Sequence, residues 1–138
     1  MSRNSVHWLF LVAGFYDFVV GVAFLFFGPK LFELTKTTPP NHWGYVQFAS
    51  LMLIIFGLMF FAVAHAPIRN HNLILYGMLL KLSFVGVVVY YWATTDCPRM
   101  FKPFAVIDAV MFVLFAIAYR TRFITWSRPR SIGTPAGA

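Results

Sequence analysis

The chain has 138 residues, of which 60% are hydrophobic and only 11% are charged, and its formal net charge is +7. Its mean hydropathy of +0.75 lies far above the range of soluble domains. This composition excludes a soluble globular protein, so we expect any activity to lie within a membrane or at its two surfaces.

Four segments are apolar over the length that a spanning helix needs, which is about 20 residues. They run approximately over residues 7–27, 43–65, 72–94 and 101–119. Stretches such as LMLIIFGLMFF are continuously apolar and lack the alternation of a spanning β-strand. Helices are the other structure that can span a bilayer. The sequence therefore predicts an all-α membrane protein, with a single domain over residues 1–126 that is a bundle of four transmembrane helices.

The connections between these segments contain helix-breaking residues. Gly28 and Pro29 are expected to end the first helix, and short links separate the second, third and fourth. The longer connection KLFELTKTTPPNH leaves two interpretations open. It is either a linker that lies on the membrane interface or a half-buried helical turn that carries Leu31, Phe32 and Leu34.

Positive charges in the short loops predict the orientation of the bundle. One side has more of them, namely Arg3, Arg69, Arg120, Arg122, Arg128 and Arg130, whereas the other has Lys30, Lys36, Arg99 and Lys102. This bias predicts that both termini are cytoplasmic.

The C-terminal segment YRTRFITWSRPR alternates arginine with aromatic residues, which suits an anionic lipid surface. We expect Arg120, Arg122, Arg128 and Arg130 to contact lipid and fix the topology, rather than to bind nucleic acid, and residues 127–138 to form a flexible basic tail.

Three ionisable residues lie inside the predicted helices, where a charge costs about 2.5–3.5 kcal/mol at the bilayer centre and usually has a partner. At about 1.5 Å of rise per residue, Asp17, Lys81 and Asp108 lie ~15, ~14 and ~17 Å from the cytoplasmic ends of their helices. All three are therefore near the middle of the membrane. The sequence predicts one buried cluster, in which Lys81 lies between two carboxylates.

Helical spacing indicates which way Asp17 faces. Gly14, Asp17, Gly21 and Gly28 fall on one side of the first helix, and small residues there would let another helix approach closely. Asp17 is thus expected to face protein rather than lipid. Further hydrogen bonds to the cluster are expected from four polar residues, Tyr16, Gln47, Tyr76 and Ser83.

The cluster allows three interpretations. It is a structural ion network that fixes the packing of the helices, or a site whose net charge of −1 favours a shared proton or a bound cation, or a set of charges that faces a partner subunit.

The histidines and the single cysteine offer weaker signals. His7, His65 and His71 are all at the cytoplasmic ends of helices, where they could converge on a metal or a haem iron, but no HxxxH or HxxE pair accompanies them. We therefore predict no metal site. Cys97 is on a predicted outer loop, which leaves an exposed thiol or an intermolecular disulfide.

The segment VVGVAFLFFGPKLFEL resembles the DoxX-like family of small four-helix membrane proteins. The first helix of that family typically has a glycine, a few apolar residues, a second glycine and then a Lys-Leu pair, and the matching positions are Gly21, Gly28, Lys30 and Leu31. The resemblance covers about half of the chain at the level of motifs, and Lys81 does not belong to it. It implies an inner-membrane bundle, associated in some members with quinone-linked sulfur oxidation as a subunit, and it implies no catalytic residue.

No nucleophile elbow, phosphate-binding loop or pair of catalytic acids is found in the sequence. We therefore expect a multi-pass protein of the inner (plasma) membrane that is a non-enzymatic subunit or assembly module. It is expected to contact membrane lipids and other membrane subunits, or a second copy of itself, and it could hold a lipid or quinone. The alternative is a small transporter or proton-linked carrier that uses Asp17, Lys81 and Asp108.

Overall fold

The computed structural model describes the backbone of residues 1–126 and the side chains of residues 1–121. It contains four α-helices, α1 (Arg3–Leu34), α2 (Gly44–His65), α3 (His71–Thr94) and α4 (Phe101–Trp126). Each helix is long and apolar enough to cross a membrane. The predicted all-α bundle with four candidate spans is confirmed. The predictions for the tail at residues 127–138, including Arg128 and Arg130, and for the side chain of Arg122 fall outside the described part.

Helix α1 extends past the predicted break at Gly28 and Pro29. It bends at Phe27, where φ is −119° and ψ is 16°, and then continues to Leu34. A bend is expected there because proline lacks a backbone N–H and its ring clashes with the preceding turn. Phe32 is buried after the bend, so the connection begins with a helical turn rather than with a linker.

Glycines set the close packing of α1 against α2. A Cβ atom at Gly14 would lie 2.7 Å from the ring of Phe61, and one at Gly21 would lie 2.7 Å from the carbonyl oxygen of Ser50. Gly57 on α2 packs directly against Gly14, because a Cβ atom at Gly57 would lie 2.9 Å from the Gly14 oxygen. The predicted glycine seam is therefore present at Gly14 and Gly21. Gly28 has more room, with its nearest neighbours 3.6 Å away.

The helices form two pairs, α1 with α2 and α3 with α4, which meet most closely at the end of the bundle where α1 begins. We call this the terminal end. The ring of Phe10 on α1 stacks on Phe115 of α4 at 4.4 Å, and Phe60 of α2 meets the same ring edge-on at 5.1 Å. Ile74 of α3 joins this buried cluster, so all four helices contribute to one core there.

A second buried cluster lies in the half of the bundle away from the terminal end. It joins Val88 of α3, Cys97 of the loop between α3 and α4, and Ala105 of α4. Cys97 is only 4% exposed, so the prediction of an exposed thiol was wrong. The loop folds back over the end of the second pair, and a loop position in the sequence does not reveal this.

Candidate functional site

Lys81 joins the two helical pairs at mid-bundle. Its Nζ atom lies 2.5 Å from Oδ1 of Asp17 on α1 and 2.9 Å from Oδ1 of Asp108 on α4. Lys81 has no exposed surface, and Asp17 and Asp108 are 1% and 6% exposed. The predicted buried cluster of these three residues, which we call the ion triad, is confirmed.

A glycine beside Lys81 allows α2 to approach α3. Gly77 precedes Lys81 by one helical turn, and a Cβ atom at Gly77 would lie 2.5 Å from the ring of Phe60. The Phe60 ring lies near Lys81 as a result, with its centroid 5.9 Å from Nζ, and the Tyr16 ring of α1 lies 5.1 Å from the same atom. Aromatic faces at these distances attract a cation, and the attraction is larger when the cation is shielded from water.

The hydrogen bonds of the ion triad are incomplete among the described residues. Lys81 donates to Oδ1 of Asp17, but Oδ2 of Asp17 is buried without a hydrogen-bond partner in the described part of the chain. Oδ1 of Asp108 is close to Nζ yet lies outside hydrogen-bond geometry. When all three groups are ionised, the ion triad carries a net charge of −1 and retains unused acceptor capacity.

Of the four polar residues predicted to support the cluster, the structure brings only Tyr16 to it. Tyr76 and Ser83 are exposed, because they are one residue before Gly77 and two residues after Lys81, and each step turns the side chain by about 100°. The hydroxyl of Ser83 donates to the Leu79 carbonyl within its own helix.

Gln47 is also exposed and is not part of the cluster. Since Gly21 meets Ser50 and Gly14 meets Gly57, Asp17 is level with the middle of α2. Gln47 lies about two helical turns from that level, roughly 10 Å along the axis.

Ser50 is a polar residue that the sequence analysis missed. It is 2% exposed, and its hydroxyl donates to the Val46 carbonyl at 2.6 Å. The signal was a pair of small residues on α2, Ser50 and Gly57, whose spacing of seven repeats the spacing of Gly14 and Gly21 on α1.

A cavity of about 510 Å³ lies between the two helical pairs on the side of the ion triad away from the terminal end. Its volume is within the range of ligand-binding cavities, about 300–1,000 Å³. Asp17, Asp108, Tyr16 and Ser50 contribute to its lining. Most of the remaining wall is apolar, and the aromatic part of that wall includes Phe24, Phe32, Phe84, Phe101 and Phe104.

The cavity is open at the side of α2. Tyr45, Phe48 and Ala49 line it and are themselves exposed. In a bilayer, exposed residues on a spanning helix face the lipid chains. The opening would therefore connect the cavity to the membrane interior rather than to bulk water.

The three histidines do not form a common site. A ring nitrogen of His7 donates to the Ala64 carbonyl at 2.8 Å, and one of His71 donates to the Tyr119 carbonyl at 3.1 Å. His65 is exposed. Within residues 1–121, no three metal-ligating side chains come together. His7 and His71 instead tie α1 to α2 and α3 to α4 near the terminal end.

No family model, curated protein or solved structure matches the chain. The fold and the site define a class: a multi-pass membrane protein in which a buried ion triad forms one end of an apolar cavity between two pairs of helices.

Proposed function

We propose that this protein is a non-enzymatic membrane protein that holds an apolar molecule, of the lipid or quinone kind, in the cavity between its two helical pairs. The observation that carries the proposal is the cavity itself, which combines aromatic walls with charged groups at one end. Such a combination suits an amphipathic ligand, because the walls bury its apolar body and the polar groups orient its head.

The packing of the bundle supports this proposal. Interiors of proteins are normally filled at high density, and the terminal end follows that rule through the stacked rings of Phe10, Phe60 and Phe115. The opposite half leaves about 510 Å³ between the two helical pairs. A ligand that enters from the lipid would regain the contacts that the separated helices do not make with each other.

The wider setting is part of the same proposal. We propose a location in the inner (plasma) membrane with both termini cytoplasmic, and a role as a subunit or assembly module beside other membrane subunits or a second copy of the chain. The DoxX-like resemblance and the arginine bias support it. Placement in a membrane is supported by Tyr90, Tyr91 and Trp92, which are exposed near the end of α3, as in the aromatic belts of membrane proteins. Nucleic acid is not among the proposed partners.

The proposal is tested by native mass spectrometry of the gently extracted protein. Val20 lines the cavity, whereas its neighbour Val19 is 59% exposed on the outside of α1. Val20→Trp places a large ring inside the cavity, and Val19→Trp adds the same side chain to the lipid-facing surface. We expect a co-purifying apolar molecule on the wild type and on Val19→Trp but not on Val20→Trp. Equal retention by all three, or no retained molecule on any, would contradict the proposal.

A proton-linked carrier is the second candidate, and the observation that favours it is the ion triad. The triad connects the two helical pairs across a gap, so a change in its protonation would alter the attraction between them. Reconstituted vesicles test this candidate by solute-driven proton movement. Flux that is present in the wild type and lost in Asp17→Asn would support a carrier. No flux in the wild type for any solute tested would contradict the carrier and favour the binding function.

A further inference from the structure

We propose that the cavity selects lipophilic organic cations, specifically aromatic or alkyl ammonium groups whose N–H donors meet the carboxylates at its end. This inference rests on the proposed function that the cavity holds a lipophilic molecule, and it narrows that molecule to a lipophilic cation rather than a quinone. Three features carry it: the charge of the lining, the unpartnered oxygen of Asp17 and the aromatic walls.

The charged side chains that line the cavity are all acidic among the described residues. Asp17 and Asp108 both line the cavity, whereas no lysine, arginine or histidine is among the described residues that do so. Lys81 is fully buried behind the carboxylates and offsets one of the two negative charges. The titratable groups that face Asp17 are Lys81 of α3, Asp108 of α4 and the neighbouring Tyr16, and α2 contributes the neutral Ser50 to the lining. When all three groups of the ion triad are ionised, a ligand in the cavity therefore meets a net charge of −1.

The end of the cavity at the ion triad also has an unused hydrogen-bond acceptor. Asp17 lines the cavity, and its Oδ2 atom has no partner among the described residues but is itself shielded from the cavity. A head group would reach it after the carboxylate turns, and leaving such an acceptor unpaired is unfavourable. A carbonyl or carboxylate head cannot satisfy it, because these groups bring no donor. A hydroxyl head supplies a donor, and an ammonium head supplies a donor together with the missing positive charge.

The walls suit the body of such a ligand. Tyr16 lies beside the carboxylates, and the rings of Phe24 and Phe104 pack against each other at 6.2 Å in the same cavity. Aromatic faces attract a cation and also bury an apolar skeleton. The combination of a carboxylate end and aromatic walls is therefore matched by a molecule that is lipophilic and positively charged.

The test uses three fluorescent probes with one skeleton and different heads: 1-pyrenemethylamine, which is an ammonium at neutral pH, 1-pyrenemethanol and 1-pyrenecarboxylate. Binding to the purified full-length protein in uncharged detergent is measured against empty micelles. We expect the ammonium to bind at least tenfold more tightly than the alcohol and the carboxylate to bind most weakly. Asp17→Asn keeps the size of the side chain and removes one negative charge, so it should reduce the preference for ammonium over alcohol to less than threefold.

The cavity variants separate this inference from the proposed function. If the three probes bind with equal affinity and Val20→Trp abolishes all binding, the cavity holds apolar molecules but the selection of cations is wrong. If no probe binds, or if Val20→Trp and Val19→Trp bind as the wild type does, the proposed function fails together with the inference. A tenfold preference that survives in both Asp17→Asn and Asp108→Asn would also overturn the inference, because the selectivity would then come from elsewhere.

Discussion

Nζ of Lys81 lies 2.5 Å from Oδ1 of Asp17, and this ion pair links α3 to α1 across the boundary between the two helical pairs. Asp108 lies within the second pair with Lys81. The two carboxylates thus hold the lysine in different ways: Asp108 orients it within its own pair, and Asp17 connects it to the other. This connection explains how a charge is tolerated in the centre of an apolar bundle.

Removal of the lysine should destabilise the bundle strongly. Lys81→Met leaves Asp17 and Asp108 buried without a cation, and breaking a buried ion pair by removing one partner typically costs about 3–5 kcal/mol. We expect a loss of that size in the free energy of unfolding, measured in mixed micelles with increasing denaturing detergent. Lys102→Met is the control, because Lys102 lies over the Trp92 ring at 4.6 Å and such a contact contributes about 1 kcal/mol. Similar losses in both variants would argue against the role of the ion triad.

The glycine seam predicts opposite effects for two equal substitutions. Gly21→Ala places a methyl group 2.7 Å from the backbone oxygen of Ser50, so α1 and α2 must separate, and overpacking of this kind costs about 1–3 kcal/mol. Gly86 is exposed and has no atom within 4 Å of the added methyl group. Gly86→Ala should therefore be neutral or stabilising by up to about 1 kcal/mol, since alanine favours helix. Thermal denaturation of the two variants measures the difference, and equal midpoints would contradict the close contact.

The histidines are predicted to act in packing rather than in ligation. His71→Ala removes a hydrogen bond to the Tyr119 carbonyl and a ring stacked on Tyr119 at 4.5 Å. We expect a loss of about 1–2 kcal/mol in the free energy of unfolding. His65→Ala, which changes an exposed side chain, should have little effect. A larger loss in the free energy of unfolding for His65→Ala than for His71→Ala would contradict this prediction and indicate another role for His65.

Much of the ion triad was predictable, and the cavity was not. Charges inside spanning helices are rare, so the similar depths of Asp17, Lys81 and Asp108 were a strong signal. The glycines at 14 and 21 were another, because their period matches a helix face. The cavity depends on how far the two helical pairs separate, and apolar residues that line a cavity look the same in sequence as residues that fill a core.

Two local errors have the same origin. Pro29 was expected to end α1, but a proline can also bend a helix that other contacts keep folded, and the buried ring of Phe32 supplies such a contact on the far side of the bend. Cys97 was expected to be exposed because it lies in a loop. In both cases tertiary packing, rather than the residues beside each position, determined the outcome.

The proposed orientation is tested by cysteine labelling of intact cells. Asp96 lies between α3 and α4 and Ile68 lies between α2 and α3, and both are exposed. In a Cys97→Ser background, Asp96→Cys should react with a membrane-impermeant maleimide from outside, whereas Ile68→Cys should react only after the cells are permeabilised. The opposite pattern would place both termini outside.

Lys81 and Asp17 hold the two helical pairs together beside the cavity, and a double-mutant cycle measures the coupling between these two residues. The free energy of unfolding is measured for the wild type, Lys81→Met, Asp17→Asn and the double variant. We predict that the double variant is more stable than the sum of the two single losses implies, by about 1–3 kcal/mol, which is the coupling expected for residues in direct contact. Losses that add within about 0.5 kcal/mol would show that the two residues act independently and would contradict the account.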